Sequence, residues 1–214
     1  MQKGTLTLII ILSGLILGGV YLLRGGKNLV PPEVVQSEMD TKEIQKIPNQ
    51  TTPMETLKIS STAFEANGMI PKIYTCDGDG SRPDFVFTGI PAGTVSLAFI
   101  MDDPDIPDSL KKSRGIDSFV HWVVFNMPLK TFGISATGTV PGIQGMNSAG
   151  KNSYMGSCPP DREHRYFFFL YALDTMLPLA ASATKADLEK AMEGHIIMQA
   201  ELIGRYDRHP KAAP

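Results

Sequence analysis

The sequence lacks both a cysteine framework and an excess of charge. Only two of its 214 residues are cysteines, which excludes a disulfide-rich scaffold and a zinc site built from four thiolates. Its 20 basic and 22 acidic residues leave a formal net charge of −2. Such a chain has no electrostatic reason to seek a polyanion, so we expect no nucleic-acid partner.

Charged side chains are missing altogether from residues 4–23, where most residues are Leu, Ile or Val. At about 1.5 Å per residue, a helix of this length would measure about 30 Å, enough to cross the hydrocarbon core of a bilayer. The run is longer than the apolar region of a signal peptide and lacks a small-x-small cleavage site. We therefore predict a single-pass signal-anchor over residues 1–24, with the folded domain on the extracytoplasmic side. The alternatives are a cleaved signal, which would leave a secreted or periplasmic protein, and a buried helix.

Aromatic residues are absent from residues 25–56, where four prolines are scattered among polar side chains. Such a segment cannot bury enough apolar surface to offset the entropy of ordering it. We predict a flexible linker here, followed by one domain over residues 57–208 and a disordered tail over residues 209–214. A loosely packed extension of the domain is the alternative for the linker.

The domain shows short apolar runs broken by Gly, Pro, Asn and Asp, a pattern typical of an all-β sandwich. Residues 95–101, 119–126 and 166–173 are apolar on both alternating faces, which predicts strands inside the protein. One helix is indicated between Thr184, which can form a capping-box-like pair with Asp187, and Gly194. A last strand is predicted over residues 196–203. The fold class is therefore mainly β, a sandwich with a few short helices.

Polar side chains cluster where the predicted inner strands begin or end. Asp103 and Asp105 lie in a proline-containing turn after the first strand, where carboxylates can also simply cap backbone amides. His121 lies within the second strand among apolar neighbours, where a lone histidine can be purely structural. His164 and Tyr166 project from the same face of the third strand and can present a ring nitrogen and a phenol together.

The segment before this pair, residues 154–160 (YMGSCPP), combines glycine with two stiffening prolines. The consecutive amides of residues 156–158 could point into one concavity and form an anion-binding nest. A rigid loop without a ligand is the alternative.

Taken in order, these pieces resemble the signature of the phosphatidylethanolamine-binding protein family. The matching stretches are Asp103-Pro104-Asp105-Ile106-Pro107, His121-Trp122, residues 145–150 (GMNSAG), residues 154–160, and His164-Arg165-Tyr166. Residues 74–78 (YTCDG), 170–174 (LYALD) and 193–195 (EGH) are similar to the bacterial and archaeal Raf kinase inhibitor-like branch in particular. The resemblance extends from Leu57 to Tyr206.

The resemblance implies a β-sandwich with a small cavity for phosphate-like groups, such as a phospholipid head group or a phosphorylated ligand. It assigns the lining to Asp103, His121, Gly156, Cys158, Pro159, Pro160, His164 and Tyr166, with Asp105, Trp122 and Arg165 in support. Imidazoles, a phenol and amides are donors for an anion, whereas a carboxylate would repel a fully ionised ligand. That combination favours modest and selective binding.

The implied function is that of a membrane-tethered binding protein, with a regulatory role open to it, rather than an enzyme. No cofactor or metal is expected, and a homodimer is left open. The resemblance also brings Cys76 and Cys158 near one end of the sandwich, so an exported domain could join them in a disulfide. Kinase inhibition is a label of the family for which this sequence offers no contact surface.

Two other hypotheses use the same pocket. Cys158 or Cys76, with His121 or His164 and Asp103, could form a Cys-His-Asp hydrolase, because a thiolate next to an imidazole is a competent nucleophile. The two thiolates and two imidazoles could instead bind zinc, although the close paired spacing of common zinc sites is missing.

Overall fold

The computed structural model describes residues 56–208. The predicted anchor over residues 1–24, nearly all of the predicted linker and the predicted tail lie outside these described residues. Within them, the helices are too short and too polar to cross a membrane.

The domain consists of nine strands and two α-helices in the described part of the chain. The strands are β1 (Lys58–Ser61), β2 (Gly68–Met69), β3 (Phe85–Thr88), β4 (Ser96–Asp103), β5 (Phe119–Pro128), β6 (Gly133–Ile134), β7 (Ile143–Gln144), β8 (His164–Leu173) and β9 (Ile196–Tyr206), and the helices are α1 (Asp108–Arg114) and α2 (Lys185–Met192). They form a three-stranded sheet in the order β1-β3-β6 and a six-stranded sheet in the order β2-β9-β8-β4-β5-β7. The predicted mainly β fold is confirmed, with two helices.

The inner strands of the large sheet are apolar on both faces because each face is covered. Alternate residues of a strand point to opposite sides. Phe99 and Phe168 face the small sheet and belong to a core cluster that also contains Phe87. Ile100 and Val123 belong to a second cluster, which includes residues of α2. This two-sided burial explains the continuous apolar runs in the sequence.

Helix α2 begins where its sequence predicts. The Thr184 hydroxyl accepts a hydrogen bond from the Asp187 amide, and the Asp187 carboxylate accepts one from the Thr184 amide, which completes a capping box. Leu188 and Met192 are its buried residues.

Helix α1 was not predicted from the sequence. It has seven residues, none of them buried, so the apolar stripe that would have indicated a helix is missing. Its C-cap, Gly115, has φ of 63°, a conformation that favours glycine.

The topology gathers the polar residues at one end of the large sheet. Strands β5 and β8 both run antiparallel to β4, so the last residues of β4 meet the first residues of its two neighbours. Asp103 pairs in register with Phe119, and Asp102 pairs with Phe167. The ends of strands that are distant in sequence therefore meet at one edge, where the candidate site lies.

Candidate functional site

A cavity of about 250 Å³ opens at this end of the sheet. Its walls come from the turn after β4, helix α1, the start of β5 and residues 155–160. The lining residues are Asp103, Ile106, Leu110, Phe119, His121, Met155, Cys158 and Pro160. The polar side chains in this wall are Asp103 and His121, and the rest of the wall is apolar or formed by the cysteine.

His164 lies behind the cavity wall and is held between two carboxylates. Its Nδ1 is 2.7 Å from Asp103 Oδ2, and its Nε2 is 2.8 Å from Asp161 Oδ1. Each ring nitrogen of His164 therefore faces a carboxylate oxygen. The His164 side chain is fully buried. It therefore lies outside the cavity wall and contacts that wall through Asp103.

Asp103 is the acidic side chain of the cavity wall. Burial raises the pKa of its carboxyl, and the hydrogen bond and charge of His164 oppose that rise. Its other oxygen, Oδ1, accepts a hydrogen bond of 2.9 Å from the Asp105 amide. With both oxygens engaged, the carboxylate is fixed in place.

His121 is the other polar group of the wall and is buried. Its Nδ1 lies 3.0 Å from the Met155 carbonyl oxygen, and its ring packs against Phe119 and, edge-on, against Tyr166. Because a carbonyl can only accept, Nδ1 carries the hydrogen. In the neutral ring, Nε2 is therefore an acceptor.

Burial also determines the charge of His121. It lowers the pKa of the imidazole to about 4, against the opposing effects of backbone hydrogen bonds with Met155 and Gly156 and of the charge on Asp102. At neutral pH the ring is uncharged. Sequence reasoning left this direction open, because burial and nearby carboxylates act in opposite senses.

Tyr166 does not belong to the cavity wall. It is fully buried, and neither its hydroxyl nor that of Ser157 has a hydrogen-bond partner of good geometry among residues 56–208. Burial, with the nearby charge of Asp103, raises the pKa of the Tyr166 phenol. The phenol is thus a neutral group in the interior.

Residues 156–158 do not adopt the conformation expected of an anion-binding nest. Ser157 forms a parallel β-bridge with Thr75, and none of these three residues has the positive φ of the left-handed position in a nest. A Cβ atom on Gly156 would lie 2.9 Å from the Tyr74 carbonyl oxygen. Close backbone packing therefore explains this glycine.

Cys158 enters the cavity wall as half of a disulfide with Cys76, with their Cα atoms 5.4 Å apart. Neither sulfur is free, so the hydrolase hypothesis lacks its thiolate in this oxidised protein. Nor do any three His, Cys, Asp or Glu side chains in the described part of the chain lie close enough together to hold a metal ion.

The three supporting residues have structural partners. Asp105 forms a two-pronged ion pair with Arg165, with both contacts at 2.8 Å, and this pairing lowers the pKa of Asp105 to about 2. The buried Trp122 donates from Nε1 to Gln144 Oε1. Both interactions stabilise the surroundings of the cavity.

Of the eight residues assigned to the lining, the cavity brings together Asp103, His121, Cys158 and Pro160. The other four, Gly156, Pro159, His164 and Tyr166, are outside its wall. Sequence reasoning missed the apolar residues Ile106, Leu110, Phe119 and Met155, and it missed Asp161. Phe119 could have been found, because it precedes His121 by two residues on the same strand face.

Comparisons with known proteins agree with this architecture. A sequence model described as phosphatidylethanolamine-binding protein matches residues 60–207. A UPF0098 protein of Chlamydia pneumoniae is 42% identical over 152 residues, which cover 71% of this chain and 99% of that protein. A UPF0098 protein of Methanothermobacter thermautotrophicus is also 42% identical, with the same coverage of both chains.

Two solved structures are similar across nearly their whole length. The crystal structure of a phosphatidylethanolamine-binding protein homologue from Chlamydia trachomatis has a TM-score of 0.68 at 38% identity, with 72% of this chain and 99% of that chain covered. The crystal structure of YbcL from E. coli has a TM-score of 0.62 at 25% identity, with 70% and 97% covered.

Proposed function

Because the chain belongs to the phosphatidylethanolamine-binding protein family, we propose that it is a binding protein whose cavity beside His121 and Asp103 takes a small ligand with a phosphate-type group. The observation that carries the proposal is the presence of these two polar side chains in a wall that is otherwise apolar or formed by the cysteine. A few convergent polar groups in an apolar pocket are the usual design of a small-molecule site.

The size of the cavity limits the ligand. A volume of about 250 Å³ lies below the usual range of about 300–1,000 Å³ for drug-sized ligands. A phospholipid head group or a single phosphorylated group would fit, whereas two acyl chains would not.

The charge state of the wall selects the protonation state of the ligand. The neutral His121 ring offers Nε2 as an acceptor, and the Asp103 carboxylate would repel a dianion. A phosphate monoanion suits this wall better, because its P–OH group can donate to Nε2 and its single charge is repelled less by Asp103. Binding should therefore be coupled to one proton, which comes from the ligand or from protonation of the ring.

The sign of the pH dependence follows from these groups. A phosphate monoester has a second pKa near ~6, and His121 is protonated only below about pH 4. Above pH ~6 neither partner carries the required proton, so we expect the affinity for O-phosphoethanolamine to fall about tenfold per pH unit. Between about pH 4 and pH ~6 the affinity should change little, because the ligand itself carries the required proton. Calorimetric titrations from pH 5 to 8 measure this profile.

Replacing His121 by Ala should weaken binding of O-phosphoethanolamine by about 1.5–3 kcal/mol, the scale of a hydrogen bond to a charged group. It should also flatten the pH profile. His195→Ala is the matched control, because His195 is an exposed histidine paired with Asp174. Unchanged affinity of His121→Ala, together with a lowered melting temperature, would mean that His121 is purely structural.

We propose binding rather than catalysis as the role of this site, and the partner is the small anion or head group itself. A kinase partner is not part of the proposal, since no surface among residues 56–208 argues for one. A homodimer stays open.

We also propose that residues 1–24 anchor the protein in a membrane with the domain on the extracytoplasmic side. The support is the uncharged run over residues 4–23. The full-length protein should sediment with membranes and resist a carbonate wash, and Ile11→Arg with Leu15→Arg should release it, since each charge in the bilayer centre costs about 3 kcal/mol. Recovery of soluble wild-type protein that lacks this run would favour signal cleavage instead.

A further inference from the structure

The disulfide and the cavity share a residue, since Cys158 is bonded to Cys76 and also lines the cavity. We propose that this disulfide is a redox-sensitive control of ligand binding. The oxidised form holds one wall of the cavity in its binding geometry, and reduction releases that wall. The effect on ligand affinity rests on the proposed function of the cavity.

The wall in question is the segment of residues 155–160, which supplies Met155, Cys158 and Pro160 to the lining. At its start, the Met155 amide donates to the His121 carbonyl oxygen at 3.1 Å, and the His121 ring donates back to the Met155 carbonyl oxygen at 3.0 Å. Further along, the segment attaches to the loop around Cys76 by the disulfide and by a hydrogen bond of 3.1 Å from the Cys76 amide to the Ser157 carbonyl oxygen.

The loop around Cys76 has its own anchor on the far side. Asp77 accepts hydrogen bonds of 2.9 Å from the Tyr206 hydroxyl and from Arg208 Nη2. The disulfide therefore ties the cavity wall to a loop that is fixed to the end of β9. When the bond is broken, the loop keeps its anchor, whereas the part of the wall around Cys158 loses its covalent attachment.

The bond is open to chemical attack from one side, because Cys76 is exposed and Cys158 is half-buried. The thiolate of a dithiol can attack the Cys76 sulfur, which breaks the S–S bond and expels Cys158 as a thiolate that takes up a proton. The second thiol of the reagent then displaces Cys76. Two electrons and two protons thus convert the disulfide to two thiols, and the dithiol becomes a cyclic disulfide.

Reduction should weaken binding because a released wall spends less time in the conformation that binds. The apparent dissociation constant is inversely proportional to the fraction of protein molecules in that conformation. We expect the reduced full-length protein to bind O-phosphoethanolamine at least about threefold more weakly than the oxidised protein, and reoxidation should restore the affinity.

The test combines two measurements on the full-length protein in detergent. Calorimetry compares the affinity for O-phosphoethanolamine before and after treatment with a dithiol, and hydrogen-exchange mass spectrometry follows the peptide over residues 154–160 without ligand. The double variant Cys76→Ser, Cys158→Ser should match the reduced protein in both measurements. Leu188→Ala is the control, because it weakens the core under α2 without touching this wall. In the oxidised Leu188→Ala variant, the peptide over residues 154–160 should exchange as slowly as in the oxidised wild type.

Equal exchange of this peptide in the oxidised and reduced proteins would overturn the inference. The inference would also be overturned if the oxidised and the reduced protein both bound O-phosphoethanolamine with equal affinity. Failure of the oxidised protein to bind O-phosphoethanolamine would instead count against the proposed function, and the exchange measurement would still decide whether the disulfide controls the wall.

Discussion

Replacing both Cys76 and Cys158 by serine is expected to lower the free energy of unfolding by about 4 kcal/mol. The disulfide joins residues that are 82 positions apart, so it closes a long loop in the unfolded chain. In the chain-entropy model, the disulfide restricts the conformational freedom of the unfolded chain, and the double variant regains that freedom. Guanidinium unfolding of wild type and variant, under conditions that preserve the disulfide, measures the difference.

Reduced wild-type protein provides the control for the serine side chains. It should lose about as much stability as the double variant, because both lack the covalent bond and only the variant carries serine side chains. A reduced wild type as stable as the oxidised protein would show that the bond contributes nothing net, with strain in the folded state offsetting the loop entropy.

Replacing Asp103 by Ala should cost about 3–5 kcal/mol, the usual penalty for removing one partner of a buried ion pair. The Asp103 side chain is 4% exposed and that of His164 is fully buried. The variant leaves His164 Nδ1, on a fully buried side chain, and the Asp105 amide without their acceptor. Urea unfolding at neutral pH measures the loss.

The chain contains a matched control for this pair. His195 Nδ1 lies 2.8 Å from Asp174 Oδ1, the same kind of contact, but the two side chains are 47% and 52% exposed. Asp174→Ala should therefore cost less than about 1 kcal/mol, because water solvates the histidine that remains. Similar small losses in both variants would mean that the buried pair does not hold the site together.

These outcomes would separate the groups that build the cavity from those that meet a ligand. His164 and Asp161 fix Asp103, and the disulfide fixes the wall around Cys158. His121 and Asp103 line the cavity, and in the proposed function they are the groups that contact the ligand. Stability measurements report on the first set, and the pH profile of binding reports on the second.

Local patterns in the sequence predicted the framework well. The inner strands β4, β5 and β8 follow from runs that are apolar on both faces, and the start of α2 follows from the capping pair at Thr184. Both signals depend on neighbours within a few residues, where the backbone geometry is known in advance. Helix α1 escaped prediction because its residues carry no apolar stripe.

The sequence by itself determined the mainly β fold and the family resemblance, and it proposed Asp103 and His121, which line the cavity. Only the tertiary structure decided that His164 and Tyr166 turn into the interior, that Leu110 and Met155 complete the wall, and that His121 is uncharged at neutral pH. The physical reason is distance along the chain. Asp103 meets His164 across 61 positions, and the depth of burial that sets the pKa of His121 depends on how such distant segments pack.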